Sequence, residues 1–236
     1  MNTTFSITPL GDNAVIIEWE QQIAPHIHEQ VMKAFHCLQS LKLSFITDLI
    51  PAYASLAVLY DAAAIRQKIN RPARAWISDF IKRSLQQVTD TGTTVSRSLQ
   101  IPVCYHPSLA PDLSVLAQQK GMSEAALITL HTAQTYTVYM IGFLPGFPYM
   151  GKVDARLASP RLKQPRTAIP AGSVGIAGEQ TGIYPLSSPG GWNIIGQTPI
   201  RLFDPSAQDP CYCRPGDQVQ FVPITLETFY QMQQPS

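Results

Sequence analysis

Alternating hydrophobic and polar positions predict strands in the first part of the chain. Short alternating segments occur at Phe5–Ile7 and Val15–Trp19, on either side of the turn signal Gly11-Asp12. A further alternating segment runs from Leu56 to Tyr60. Side chains of a strand point alternately to its two faces, so this pattern indicates a sheet with one buried face.

Apolar residues recur at helical spacing in two other stretches, from Ile27 to Leu41 and from Ile65 to Val88. Pro72 is expected to interrupt or kink the second helix, because proline lacks the N–H that a helix interior needs. Strands with two interleaved helices predict an α+β sandwich with both helices on one face of a sheet.

A polar, turn-rich segment at residues 89–94, Thr-Asp-Thr-Gly-Thr-Thr, is the best linker candidate in the chain. It predicts a first domain over residues 1–90 and a second over residues 95–236. Beyond it, Leu99–Val103 and Tyr136–Met140 read as strands. Two short helices are predicted between them, from Pro111 to Gln119 and from Ser123 to His131, and Ser123 is a suitable N-cap.

The amino-acid composition changes after residue 141. The segment from Gly142 to Gly216 holds 11 of the 14 glycines and 11 of the 20 prolines, and no part of it predicts a normal helix. Alternation is confined to short pieces such as Ser173–Ile176, followed later by Val219–Val222. Many short strands joined by Gly/Pro turns predict a barrel or a sandwich with long, structured loops.

Composition excludes several classes of protein. With 45% hydrophobic and 14% charged residues and a net charge of +1, the chain is neither disordered nor a general binder of nucleic acid or anionic membranes. No apolar run approaches the ~18 residues of a membrane span, and the N-terminus lacks a signal-peptide pattern, so we expect a soluble protein of the cytoplasm. Cys211 and Cys213 lack further ligands nearby, and no metal site is expected.

The loop after the predicted strand at residues 136–140 has the sequence GFLPGFPYMG, residues 142–151. Its prolines fix φ and its glycines allow tight turns, so the loop can hold aromatic rings in place. Two interpretations remain open, namely a rigid wall for a small planar ligand and an aromatic plug that closes one end of a barrel.

The next stretch, residues 152–166, carries five basic residues against one acidic residue. This bias suits a carboxylate or phosphate ligand, although a solvated loop is the alternative for most of these residues. Arg166 is singled out because Pro165 and the turn at Ile169–Ser173 constrain its backbone.

Two glycine-rich loops follow, at residues 171–178 and 187–192. Neither has the Walker A or Rossmann spacing, but their backbone N–H groups could cradle an anion. Ser173 nearly fits the G-x-S-x-G pattern, yet Ala171 stands at its first position and a strand pattern follows, which argues against a serine hydrolase. His131 is interpreted as a capping or core-edge histidine at the C-terminal end of a helix, and Asp112 as a helix-start residue, rather than as catalytic groups.

The run from Gly142 to Asp204 resembles a known family. The segments GFLPGFPYMG, PRTAIPAGSVGIAGEQTGIYPLSSPGGWNIIGQTP and LFD look like the B subunit of the prokaryotic 5-oxoprolinases, the PxpB/KipI family, also known as allophanate hydrolase subunit 1. Weaker agreement covers nearly the whole chain, from Gly11-Asp12 to Phe221–Ile224. The resemblance implies a ferredoxin-like N-terminal domain followed by a cyclophilin-like β-barrel.

The resemblance also implies an activity, the ATP-dependent opening of 5-oxo-L-proline to L-glutamate together with partner subunits A and C. The B and C subunits would activate the lactam by phosphorylation, and the A subunit would complete hydrolysis. We expect the chain to be inactive alone, ATP to lie in a site shared with the C subunit, and no protein-bound metal. A small lactam or carboxylate is the expected substrate, and neither nucleic acid nor a membrane is an expected partner.

The expected site combines catalytic groups with substrate-binding groups. The catalytic candidates are Arg166 and Gln180. The candidate substrate-binding residues are Phe143, Pro145, Gly146, Phe147, Tyr149, Gly172, Ser173, Tyr184, Ser188, Gly190, Gly191, Trp192 and Thr198. Their aromatic rings would wall the lactam, and the glycine amides with Arg166 would meet an anion.

This chain departs from the family pattern at Gln197, where the family usually has arginine in Gly-Arg-Thr-Pro, and that departure weakens a phosphate-binding interpretation. The segment His106–Ala110 stands where glycines are typical, which predicts a reshaped loop. Three alternative functions stay open: a KipI-like inhibitor of a sporulation-type histidine kinase, a prolyl isomerase, and a carboxyltransferase-like module of the kind found in urea-degrading biotin enzymes.

Overall fold

A computed structural model describes residues 4–69, 71–87 and 96–233 of the protein. The chain divides into two units, residues 1–95 and 96–236, each with its own core. The predicted linker at residues 89–94 lies outside the described residues.

Four antiparallel strands form the sheet of the first unit. They lie in the order β1-β2-β4-β3 and span Ser6–Pro9 (β1), Ala14–Glu18 (β2), Ile46–Pro51 (β3) and Ser55–Tyr60 (β4). This is the strand order of a ferredoxin-like sheet in which the edge strand next to β2 is β1, from the start of the chain. The sequence pattern does not predict β3, because Asp48 and Ile50 are both exposed and the strand shows no clean alternation.

The helices of the first unit are α1 (Pro25–Ser40), α2 (Ala62–Lys68) and α3 (Ala73–Gln86). Pro72 separates α2 from α3, as predicted, and stands at the N-cap position of α3. The core lies between sheet and helices: Val15, Ile17, Leu56 and Val58 of the strands pack with Val31 and Leu38 of α1 and Ile77 and Ile81 of α3. The predicted α+β sandwich is therefore confirmed.

Seven strands close a barrel in the second unit, in the order β10-β7-β6-β13-β5-β12-β9. They are β5 (Ser98–Cys104), β6 (Thr135–Ile141), β7 (Pro148–Gly151), β9 (Ser173–Ala177), β10 (Gln180–Ile183), β12 (Asn193–Gln197) and β13 (Gln218–Ile224). A separate two-stranded sheet pairs β8 (Arg166–Ile169) with β11 (Ser188–Gly190). The helices are α4 (Leu113–Gln119), α5 (Glu124–Thr132) and α6 (Leu226–Gln233).

The barrel core is aliphatic and fully buried, with Ile101, Val138, Val174, Ile176 and Val219 among its members. Every residue from Gly142 to Gly216 is described, and none of them forms a helix, as the Gly/Pro content predicts. The barrel prediction is confirmed.

Candidate functional site

The loop between β6 and β7 is held by its own backbone and by a neighbouring segment. The Gly142 N–H donates to the Phe147 carbonyl at 3.2 Å, and the Phe147 N–H donates to the Leu144 carbonyl at 3.0 Å. Gly146 has φ +81°, and a Cβ there would lie 2.9 Å from the Cβ of Phe203. Only glycine satisfies both demands, so the sequence Pro-Gly fixes the path of the loop.

Five rings form an aromatic cluster, defined as Phe143, Phe147, Tyr149, Tyr184 and Trp192. The Phe147 ring lies at the centre, with centroid distances of 4.7 Å to Tyr149, 5.2 Å to Tyr184, 5.4 Å to Trp192 and 5.8 Å to Phe143. Phe147, Tyr184 and Trp192 are buried, which fits the plug interpretation for those three rings. Tyr149 is half-buried and Phe143 is 63% exposed, so these two rings remain accessible to a ligand.

Arg166 lies on β8 and is engaged by an acid that directly precedes α4. Its guanidinium donates two hydrogen bonds to the Asp112 carboxylate, at 2.9 and 2.6 Å, a bidentate pair. The same carboxylate accepts from the Ile194 N–H at 2.6 Å. Arg166 is thus a partly buried cross-link between β8 and the residue before α4. Its guanidinium is not a free hydrogen-bond donor for an anion. Asp112 occupies the N-cap position of α4, as predicted for a helix-start residue, but its side chain makes no cap hydrogen bond and binds Arg166 instead.

The backbone amides of the first glycine-rich loop are engaged. The Gly172 N–H donates to the Tyr184 carbonyl at 2.7 Å, and the Ser173 N–H donates to the Pro170 carbonyl at 3.3 Å. Gly172 has φ +81°, and a Cβ there would overlap the Thr198 carbonyl oxygen. These two amides therefore lack a free N–H for an anion, and glycine is needed at 172 for close packing.

The second glycine-rich loop packs against the aromatic cluster. A Cβ at Gly190 would overlap the Tyr184 hydroxyl, and the Gly191 carbonyl accepts from the Leu162 N–H at 2.7 Å. The Ser188 hydroxyl donates to the carbonyl of Pro189 at 3.2 Å. This loop thus packs against the Tyr184 hydroxyl.

Two other expected site residues, Thr198 and Gln180, belong to different parts of the barrel unit. Thr198 is buried, and its hydroxyl accepts from the Ile200 N–H at 3.2 Å in a turn. Gln180 begins β10, opposite Gly151 of β7. At ~3.3 Å per residue, it lies about 13 Å along the strand from Tyr184. Gln180 therefore lies away from the Tyr184 end of the aromatic cluster.

The side chain of Gln197, which stands where the family usually has arginine, donates to the Ala171 carbonyl at 2.6 Å. Gln197 therefore stabilises the turn before β9, and its side chain is uncharged.

A buried polar network inside the barrel unit centres on His131. Its Nδ1 lies 2.8 Å from the Tyr105 hydroxyl, and its Nε2 lies 3.0 Å from the Thr181 hydroxyl, which donates to the Gly175 carbonyl at 3.0 Å. Because that hydroxyl has a single hydrogen, it must accept from an Nε2–H, and the bare Nδ1 accepts from Tyr105. The imidazole is therefore neutral with the proton on Nε2.

Burial explains the electrostatics of this network. His131 is completely buried and stacks on Phe221 at 4.6 Å, and desolvation lowers the pKa of His131 to about 3. A histidine with so low a pKa does not exchange protons near neutral pH. The expectation of a structural rather than catalytic histidine agrees with this geometry.

The described part of the chain shows neither a cluster of metal-ligating side chains nor a helix that could span a membrane. No group of three or more His, Cys, Asp or Glu side chains there is placed to hold a metal ion. Cys37, Cys104, Cys211 and Cys213 are free thiols. None of the described helices has the length and apolar character needed to span a membrane.

Comparison with known proteins identifies the class. The chain belongs to the family described as carboxyltransferase domain, subdomain C and D, whose model matches residues 5–213. Within it, the chain is 48% identical over 227 residues to the 5-oxoprolinase B subunit of Haemophilus influenzae, a match that covers 94% of this chain and 99% of that protein. The same-named protein of Bacillus subtilis is 38% identical and aligns over the full length of both chains. The resemblance to the B subunit of 5-oxoprolinases is confirmed.

Solved structures agree with the fold. The structure of TTHA0988 superimposes with a TM-score of 0.77 and 32% identity over 89% of this chain, and the match spans 40% of that longer chain. Kluyveromyces lactis urea carboxylase matches 97% of this chain and 22% of its own length with a TM-score of 0.73. At 19% identity the latter likeness concerns the fold alone. The predicted α+β architecture with a barrel is confirmed.

Proposed function

We propose that this chain is the B subunit of a 5-oxoprolinase that opens 5-oxo-L-proline to L-glutamate with ATP, in a complex with subunits A and C. The observation that carries the proposal is the 48% and 38% identity, over nearly the whole chain, to proteins named as 5-oxoprolinase B subunits. The chain is inactive alone in this proposal, and its complex works in the cytoplasm.

The chemistry explains why ATP is required. A five-membered lactam is a resonance-stabilised amide that water attacks slowly. Transfer of the γ-phosphoryl group to the carbonyl oxygen releases ADP and creates a better electrophile. Water then adds at that carbon, and the ring C–N bond breaks with protonation of the nitrogen, which leaves an acyl phosphate. A second water hydrolyses the acyl phosphate to the carboxylate and inorganic phosphate. Catalysis of phosphoryl transfer rests mainly on positioning and charge stabilisation, which protein groups supply.

The described residues support a division of roles. Phe143 and Tyr149 are the accessible rings of the aromatic cluster and would wall the lactam. Gln180 remains a candidate for hydrogen bonding to substrate or partner. The chain has no Walker A sequence, and the amides of Gly172 and Ser173 are engaged, so we place ATP in a site shared with the C subunit.

Reconstitution tests the proposal. The chain is expressed with candidate A and C subunits, and 5-oxoproline-dependent formation of ADP and glutamate is measured with each component omitted in turn. Activity that requires all three components is expected. A complex that assembles but does not turn over 5-oxoproline would contradict the proposed substrate. Failure to assemble, together with binding to a histidine kinase, would favour the regulatory alternative instead.

A further inference from the structure

Most cations of the second unit already have partners. Residues 96–233 contain nine Lys and Arg residues, and six of them form ion pairs: Arg97–Asp217, Lys152–Glu179, Arg156–Asp154, Arg166–Asp112, Arg201–Asp204 and Arg214–Asp209. Lys120 donates to the Ala158 carbonyl. Among the described residues of this unit, Arg161 and Lys163 are left without an ion pair or side-chain hydrogen bond, and both belong to the loop before β8.

The backbone on both sides of Arg161 is fixed. The buried Asn193 side chain donates to the Pro160 carbonyl at 2.9 Å and to the Ile176 carbonyl at 3.1 Å. The Leu162 N–H donates to the Gly191 carbonyl at 2.7 Å. Arg161 is exposed to solvent, but the backbone on both sides of it is anchored, so the position of the residue is defined.

Arg161 lies beside the aromatic cluster. A Cβ on Gly191 would be 3.8 Å from the Cβ of Arg161, so the two segments are in contact. Burial raises the pKa of both Tyr149 and Tyr184, and the positive charge of Arg161 opposes this rise at each of them. The guanidinium is thus close enough to act on both phenol groups, one of which is half-buried.

We propose that Arg161 binds the carboxylate of the lactam substrate, beside the half-buried Tyr149 ring. This inference rests on the proposed function and names the residue that would select a carboxylated lactam. A guanidinium presents a planar fork that matches a carboxylate. A nucleoside triphosphate would require more positive charge than Arg161 supplies. The backbone amides of Gly172 and Ser173 are already hydrogen-bonded and are not free to bind its phosphates.

The test uses the reconstituted complex of all three components. The variant Arg161→Gln removes the charge, and Lys163→Gln is the matched control, two residues away on the same loop. For Arg161→Gln we expect KM for 5-oxoproline to rise about 10- to 100-fold, as for loss of a charged hydrogen bond, with kcat and KM for ATP nearly unchanged. Lys163→Gln should keep the wild-type values.

A second substrate separates recognition of the carboxylate from a general defect. 2-Pyrrolidinone has the lactam ring without the carboxylate, so wild type and Arg161→Gln should use it equally poorly. A rise in KM for ATP instead, or equal effects of the two variants, would overturn the proposal. So would unchanged kinetics for Arg161→Gln.

Direct binding keeps this proposal separate from the proposed function. Titration calorimetry measures binding of 5-oxoproline to the wild-type and Arg161→Gln complexes. Binding that depends on Arg161 in a complex without turnover would support the carboxylate site while contradicting the proposed reaction. Absence of binding to the wild-type complex would refute both.

Discussion

Acidification should weaken the second unit through His131. The folded protein holds this imidazole neutral, with its pKa lowered by burial to about 3 against an ordinary value of 6.5. Below pH 6.5 the unfolded chain therefore binds a proton that the folded chain does not. The free energy of unfolding consequently decreases as the pH is lowered. The contribution is complete above pH 6.5 and is lost progressively until about pH 3.

The slope of this effect is about 1.4 kcal/mol for each pH unit below 6.5. Between pH 6.5 and pH 5 the loss is about 2 kcal/mol. That window lies above the ordinary pKa values of Asp and Glu, so carboxylate titration contributes little there. A loss of this size is large for a domain whose total stability is ~5–15 kcal/mol.

The assay relies on the placement of the tryptophans. The three tryptophans are Trp19 and Trp76 in the first unit and Trp192 in the second. In a Trp19→Phe, Trp76→Phe background, the remaining fluorescence reports on the second unit, and urea unfolding is measured from pH 8 to pH 5.

His131→Gln is the informative variant, because an amide can donate to Thr181 and accept from Tyr105 but does not titrate. Its unfolding free energy should be nearly independent of pH across this window. His106→Gln, a change at an exposed histidine, should keep the wild-type slope. An equal slope in His131→Gln and wild type would refute the assignment of the effect to His131.

Three further changes have defined outcomes. Asp112→Ala removes the hydrogen-bond acceptor of Arg166 and should lower the free energy of unfolding by about 2–4 kcal/mol in the same fluorescence assay. A loss of activity at unchanged stability would contradict a cross-linking role. Gly172→Ala should destabilise by at least about 2 kcal/mol, because its φ is +81° and the Thr198 carbonyl blocks a Cβ; unchanged stability would contradict this packing. Phe143→Ala should reduce activity of the reconstituted complex severalfold while its thermal midpoint falls little, since the ring is 63% exposed. Full activity there would remove Phe143 from the ligand wall.

The sequence pattern predicts the elements that bury one clear face. Val15–Ile17 and Leu56–Val58 alternate because one side of the sheet packs on helices, and Pro72 marks the break between α2 and α3. The pattern misses edge strand β3 because few of its side chains are buried, and it misses α6 because Phe229 is the only buried residue of that helix. Sequence periodicity reports burial, so weakly buried elements give it little signal.

The candidate site is harder to predict because its pairings join distant parts of the chain. The basic segment draws attention to Arg166, but the acid that binds it, Asp112, is 54 residues earlier and lies at the start of a helix. Whether a cation is free or paired depends on such long-range contacts. The aromatic loop is evident from the sequence, and yet the division of its rings into buried and exposed does not follow from their spacing.

The density of glycine between residues 142 and 216 has a packing cause that bears on function. A Cβ at Gly182 would lie 2.9 Å from the Phe147 ring, and one at Gly190 would overlap the Tyr184 hydroxyl, so the backbone passes directly over buried aromatics. Glycines that admit rings are needed for the barrel whether or not a ligand is present. A glycine-rich loop in this protein is therefore weak evidence for anion binding. An exposed cation on a fixed backbone and without an ion pair, such as Arg161, is stronger evidence, because its charge is free to meet a ligand.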